Sequence, residues 1–371
     1  MIRVQRGLLV ALAGLALSHP LAAQSAQAGG GVLFQRYTFD NPEAGSVESV
    51  SLVALPFSGV ARFNPRLSLS ISGMWAEGRL EDPQQGEFNI SGLTDTQMML
   101  TLDGRGGATS VSAVVLLPTG LETQTLEESR VAGAIASELL PFAVSNWGTG
   151  GGAGMSVSSA HVVGGLGVGL SAAYLVRREF SSPDDPQGET FAYRPGNTLS
   201  LTAAIDGTFG GATKGALRLT VYRHEDDPAD DANLFREGNR VEVLGSLGFP
   251  VGARSIGQVY AIVQQREEGT SLSADGSLAS QDLILAGGAL RKRVGSWVVQ
   301  PRLEARLFRR GDGVEQGYDV GAGIDAEIPV GGTLWVPSVR AHLGNLEVRE
   351  GVETGFSGLE FGLALRFGGG A

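Results

Sequence analysis

The sequence predicts an all-β protein: an antiparallel, up-and-down transmembrane β-barrel of fourteen to sixteen strands, with one short helix in a long extracellular loop. Three observations predict it. An export signal stands at the N-terminus, segments of alternating polarity fill the rest of the chain, and the connections between them alternate short and long. Side chains on a strand point to opposite faces, so strict alternation makes one oily face and one polar face. Barrels that cross an outer membrane do so with strands of ~9–11 residues, apolar outside and polar inside.

Residues 1–23 read as a secretory signal. Arg3 and Arg6 form its basic start, Gly7 to Leu17 its apolar stretch, and Leu21-Ala22-Ala23 a small-residue cleavage site, with Ala26-Gln27-Ala28 as a second candidate. The apolar stretch is far short of the ~20 residues of a spanning helix. Residues 24–371 then form a single barrel domain. Period-two patterns bounded by Gly, Pro, Asp and Asn mark sixteen candidate strands, near 31–38, 47–57, 65–77, 94–104, 108–118, 150–160, 165–178, 197–208, 214–224, 238–249, 255–266, 281–292, 296–308, 317–328, 333–345 and 356–367. Without 31–38 and 94–104 the number is fourteen. The last strand shows the pattern best: Leu359, Phe361, Leu363, Leu365 and Phe367 oppose Glu360, Gly362, Ala364 and Arg366. Leu67, Leu69, Ile71 and Trp75 likewise oppose Ser68, Ser70 and Ser72.

Short connections fall at 103–107, 162–165, 209–213, 250–254, 292–295 and 329–332, and long ones at 77–93, 119–149, 180–195, 225–237, 267–280, 309–316 and 347–354. Short periplasmic turns and long extracellular loops are the outer-membrane pattern, and the parity closes only if 31–38 is a strand. Within the longest connection, Leu126 to Leu140 reads as helical. Leu126, Val131, Ile135, Leu139 and Leu140 can share a broad apolar face, Glu127 and Glu128 suit the positive end of the helix dipole, and Pro141 ends the run. These five apolar residues are the candidate constriction. A helix packed on the barrel rim and a loop folded inward both fit the pattern.

The candidate lumen site is a ladder of charge. Arg302, Glu304 and Arg306 share one face of a strand, Asp319, Asp325 and Glu327 one face of the next, and Arg340 and His342 lie on the strand beyond. A hairpin through 309–316 sets Arg306 opposite Asp319. The ladder reads either as a solvated wall that balances its own charge or as a filter acting on permeants.

Composition narrows the alternatives. Losing residues 1–23 removes two arginines and no acid, so 26 bases face 39 acids, a formal charge of −13, which argues against nucleic acid as a partner. There is no Cys, hence no disulfide, thiol chemistry or lipidated N-terminal Cys. His161, His224 and His342 lie far apart, outside metal-ligand spacing. Ser158 and Ser159 sit near His161, but neighbours on one strand do not make a nucleophile and base, and no G-x-S-x-G elbow is present. No enzyme activity and no cofactor is expected.

The run Val114-Val115-Leu116-Leu117-Pro118-Thr119-Gly120, followed by Trp147 and the Gly-rich strand at 150–160, resembles an outer-membrane transporter-like barrel family associated with aromatic-compound degradation, distantly similar to long-chain fatty-acid transporter barrels. The resemblance covers about a third of the chain and implies a monomeric barrel that takes up hydrophobic or aromatic compounds. Such barrels commonly end on an aromatic residue, whereas here Phe367 is followed by Gly368-Gly369-Gly370-Ala371. Together these readings give an outer-membrane channel or transporter for passive diffusion of small molecules. The expected partners are outer-membrane lipid and lipopolysaccharide, a small-molecule permeant and the barrel-insertion machinery. The alternative is a structural or surface-interaction barrel with an occluded lumen.

Overall fold

The computed structural model describes residues 25–41, 47–121, 124–181, 192–229, 232–271, 277–311, 316–349 and 351–368. The expected secretory signal of residues 1–23 lies outside them. The barrel strands are β1 (Ser25–Phe39), β2 (Ser49–Asn64), β3 (Leu67–Asp82), β4 (Gly86–Leu93), β5 (Thr96–Asp103), β6 (Thr109–Leu117), β7 (Gly152–Val163), β8 (Leu166–Arg177), β9 (Thr198–Phe209), β10 (Thr213–His224), β11 (Arg240–Pro250), β12 (Ser255–Arg266), β13 (Gln281–Val294), β14 (Trp297–Arg310), β15 (Gly317–Val330), β16 (Thr333–Arg349) and β17 (Val352–Phe367). Every neighbouring pair is antiparallel, and β1 bonds to both β2 and β17, so no edge is left open. Strands β4 and β5 both pair with β3 and form one broken stave, which gives sixteen staves in a closed ring.

The outer wall is the oily face. Leu170, Leu201, Leu217, Leu303, Leu343 and Leu359 all point outward and lie half or more exposed. Exposed aromatics edge this band: Phe209, Phe249, Trp297, Trp335 and Phe367 near the short-turn end, Tyr174 and Tyr318 toward the other. On β15 the band runs from Tyr318 to Ile328. The ten steps between these eleven residues, at ~3.3 Å each and tilted by ~40°, span about 25 Å, the height of a barrel's lipid-facing belt. Among the described residues no helix is long and apolar enough to cross a membrane.

Two expected loops are different in the structure. The long connection at 77–93 is largely strand: β3 continues to Asp82 and β4 begins at Gly86, joined by a three-residue turn. The connection at 347–354 is likewise a tight turn between β16 and β17. These extensions rise beyond the oily belt, where outward positions carry Glu77, Arg79, Glu81 and Glu87. With the outward face charged, the oily alternation stops while the hydrogen-bonded ladder continues. Beyond the barrel proper, the loops after β10 and β12 pair into a small sheet of Asp227–Ala229, Ala232–Arg236, Gly269–Ser271 and Ser277–Leu278.

Candidate functional site

The apolar core of this protein lies inside the ring, under the connection between β6 and β7. Tyr37, Phe39, Val50, Leu52, Ala54, Ala76, Leu80 and Ile90 line the inner wall of β1 to β4. Val131, Ile135, Leu139, Leu140, Val144 and Trp147 of the connection cover them. Along β1 to β3 the oily parity therefore inverts: Leu69, Ile71 and Trp75 face out, then Ala76 and Leu80 face in. The inversion marks where the loop docks.

The neck of the loop is tied by one carboxylate. Register shifts by one residue between β4 and β5, and Asp95 sits in that break. Its Oδ1 accepts from the Gly120 N–H (3.1 Å), and its Oδ2 accepts from the N–H and hydroxyl of Thr149 (both 2.7 Å). The two legs lie so close that a Cβ on Gly120 would stand 2.1 Å from the Trp147 carbonyl oxygen. Charge-assisted bonds of this kind are about twice as strong as neutral ones.

The helix α1 (Leu126–Ile135) starts on a capping box: the Thr125 hydroxyl accepts from the Glu128 N–H, and the Glu128 carboxylate accepts from the Thr125 N–H. It is five residues shorter than expected, because Glu138 and Leu139 are drawn to the far wall. Leu126 is 67% exposed and takes no part in the packing, which corrects its place in the constriction; Val131, Ile135, Leu139 and Leu140 are buried. Arg130 docks the helix on the β3–β4 hairpin, donating to Asp82 (3.0 Å) and Gln85 (2.6 Å) with its guanidinium over the Phe88 ring. The N–H groups of Gln84 and Gln85, together with Arg130, hold the Asp82 carboxyl below the usual carboxylate range.

Beyond the helix the chain crosses the lumen. The Glu138 carboxylate accepts from Gln264 on β12 (2.7 Å), and Arg306 on β14 donates to the carbonyl of Glu138 (3.0 Å). Gln35 on β1 donates to the Pro141 carbonyl (2.8 Å) and accepts from the Ala143 N–H (2.9 Å). Counting round the ring, Gly78 under Ile135 lies on the third stave and Gln264 on the eleventh. Eight of sixteen staves is half the circumference, so the loop is a strut across the bore. The expectation left open between a rim helix and an inward loop resolves to the inward loop.

All eight ladder residues lie on inward-facing positions. Register sets Arg306 opposite Asp319, but Arg306 serves the loop carbonyls while Asp319 accepts from His342 (3.0 Å); both partners of that pair are buried. Arg302 pairs with Asp325, Arg340 with Glu360 (3.0 Å) and Glu327 with Arg291 (2.7 Å), and Glu304 accepts from the Tyr260 hydroxyl (2.7 Å). Gln35 joins Glu360 (3.0 Å) to the loop. Glu360, Gln35, Tyr260, Glu138 and Asp95 were not singled out by sequence reasoning. Glu360 lay on the polar parity of the last strand, and the broken alternation at Thr94-Asp95-Thr96 was the available sign of the neck.

The opposite arc carries hydroxyls instead. Thr101 meets Ser112 (2.9 Å), Ser110 meets Ser158 (2.7 Å) and Thr202 meets Thr220 (3.1 Å), all on inward positions of β5 to β10. A charged inner wall therefore faces a hydroxyl-lined inner wall across the ring.

The barrel is similar to a solved structure of OprB from Pseudomonas putida at high pH, with 10% identity over 92% of this chain and 94% of that one and a TM-score of 0.53. It also aligns with a Vibrio cholerae OmpT lacking loop L8 (11% identity, 92% and 98% covered, TM-score 0.42) and with a mutant of Rh. blastica porin (13%, 92% and 99%, 0.37). No protein-family profile and no curated relative matches the chain. The likeness to OprB shows a shared barrel fold; the aromatic-degradation and fatty-acid-transporter resemblance gains nothing specific from it.

Ser159 and His161 do meet, with 2.9 Å between Oγ and Nε2, but on the outward face of β7. Their cross-strand neighbours Thr109, Leu170 and Val168 bring no carboxylate to orient the imidazole. Among the described residues no cluster of His, Asp and Glu could hold a metal.

Proposed function

We propose that the chain is an outer-membrane channel for passive diffusion of small molecules, narrowed by the 118–151 loop. The strut from the third to the eleventh stave carries this reading, because a segment crossing the ring narrows whatever bore the sixteen staves enclose. The oily outer belt, the aromatic edges and the segregation of long and short connections support an outer-membrane setting. The charge ladder is extensively paired, so it shapes the field in the bore while adding little net charge. On permeant class, the hydroxyl arc suits water-soluble molecules, and the apolar side chains near the loop suit a hydrophobic or aromatic part. The permeants are accordingly read as small solutes that combine the two.

The test is single-channel conductance in a planar bilayer, for the parent and for a variant lacking residues 126–140. Steady conductance that rises on deletion is expected. Silence in both, with a folded barrel confirmed, would move the reading to a structural role.

A further inference from the structure

At the short-turn mouth, on the hydroxyl arc, the inner wall of β8 to β12 is hollowed into a pocket of about 530 Å³. This is the volume of a small-molecule site. Small residues on inward positions make the hollow. In one row across the strands Ala216 stands between Asp206 and Ser246, and in the next row toward the mouth Gly248 stands between Lys214 and Gln258. Neighbouring strands lie about 4.8 Å apart, so each flanking pair is set about 10 Å apart over a floor with little or no side chain.

The charges in this pocket are free. The ladder on the other side of the ring is paired side chain to side chain, whereas Asp206 and Lys214 make no ion pair and no side-chain hydrogen bond among the described residues. Asp206, Lys214 and Gln258 are all exposed on the inward face. Gly167 on β8 accounts for the separation of the two charges. The Asp206 carboxylate leans over it, on the side away from Lys214, and a Cβ on Gly167 would stand 2.5 Å from Oδ1. Ile256, 52% exposed on the same inward face, adds an apolar surface one step further toward the mouth.

An accessible carboxylate and an accessible ammonium, held apart, suit a ligand that carries the opposite of each. We propose that this pocket is a binding site for small zwitterionic amino acids. The ligand carboxylate lies over Gly248, between the Lys214 ammonium and the Gln258 amide. Its ammonium lies over Ala216, between the Asp206 carboxylate and the Ser246 hydroxyl, and its side chain meets Ile256. Diagonal neighbours on adjacent strands stand about 7–8 Å apart. One zwitterion with a charge-assisted bond of ~2.8 Å at each end bridges such a gap. A direct contact between Lys214 and Asp206 would be an exposed ion pair, a weak competitor for a ligand that satisfies both. A solute with only one of the two charges leaves one residue unmatched and meets like charge at it. The proposal rests on the channel reading and names one class of solute for it; a channel site must release what it collects, so the affinity is in the millimolar range.

The experiment is a saturation-transfer NMR titration of the full chain in phospholipid nanodiscs at pH 7, with empty nanodiscs subtracted. The probes are L-leucine and its two single-charge analogues, 4-methylpentanoate and 3-methylbutylammonium. Saturable binding of leucine is expected, with each analogue about tenfold weaker or more. Asp206→Asn and Lys214→Met should each weaken leucine by about three- to tenfold, the worth of one hydrogen bond. Gly248→Leu should abolish binding: the nearest heavy atom to a Cβ there is the Lys214 carbonyl oxygen at 4.0 Å, so the side chain grows into the pocket without pushing on the wall. Equal binding of the three probes, or full binding by the Gly248→Leu variant, overturns the site. Where Gly248→Leu yields no barrel, the two charge variants decide, and leucine binding unchanged in both overturns the site equally. Conductance recorded on the same preparations separates the two claims. A conducting barrel that does not prefer leucine loses only the site, and a silent barrel that prefers it loses the channel reading.

Discussion

Truncating Trp147 to Ala tests whether the loop is held by packing on the wall. Trp147 is fully buried, its ring rests on Gly78, and its indole N–H reaches the Ala76 carbonyl at 3.4 Å. That bond is long and contributes little. The packing is the main term: truncating a buried Trp typically costs about 3–5 kcal/mol. The barrel's strand ladder makes no use of this side chain, so the loss falls on docking of the loop. At about 1.4 kcal/mol per factor of ten, the undocked population should rise by a factor of about 100 to 3,000. Hydrogen exchange of residues 124–147 should speed up accordingly, β9 to β12 should remain protected, and single-channel traces should gain a larger, flickering open level. Trp147→Phe keeps most of the apolar contact and should sit much closer to the parent. Unchanged exchange in the Ala variant, or equal loss of protection in the distant strands, would refute the idea of a loop docked by its own core.

Replacing Arg306 with Leu strips the strut of its donor to the Glu138 carbonyl, a charged hydrogen bond worth about 1.5–3 kcal/mol, and exchange at residues 136–143 should rise while α1 stays protected. Gly323→Ala places a Cβ 2.4 Å from Arg340 Cγ and 2.7 Å from the Val339 carbonyl oxygen; both the Arg340 side chain and the β16 backbone must shift, so ion selectivity should change and barrel yield should fall with it. Asp82 sets the pH response of the hairpin anchor. Its folded-state carboxyl titrates below the unfolded value of about 3.9, so its contribution is complete above that value and fades as pH falls through the lower folded one. The protection of α1, taken relative to the intrinsic exchange rate at each pH, should therefore be flat from neutral pH to about 4 and fall only below, and loosening between pH 5 and 7 would count against this anchor.

The strands were legible because an oily outer face and a polar inner face write a period of two into each barrel strand. Where the surroundings change, the same residue types carry a different message. Leu80, Phe88 and Ile90 face inward because protein covers them there, and Glu77, Arg79 and Glu81 face outward into water. Read as a single oily face, this hairpin became a loop. Helix α1 was visible from its acids and apolar spacing, but its end was set by Gln264 and Arg306, more than a hundred residues away. The ladder strands were assigned a shared face correctly by parity. Which charge meets which depends on side-chain reach: Arg306 ignores the Asp319 that register puts opposite it.

The Asp95 neck has a consequence for what the loop can become. Because both legs of the 118–151 connection are clamped at the wall by one carboxylate, the neck is closed before the segment between it docks on Gln35, Gln264 and Arg306. Closure entropy grows slowly with the length of the segment beyond such a clamp. The segment beyond the neck can therefore change in length at little cost in closure: an insert that keeps the side chains packed on Ala76, Leu80 and Ile90 and the backbone groups met by Gln35 and Arg306 reshapes the aperture on the same sixteen-stave wall.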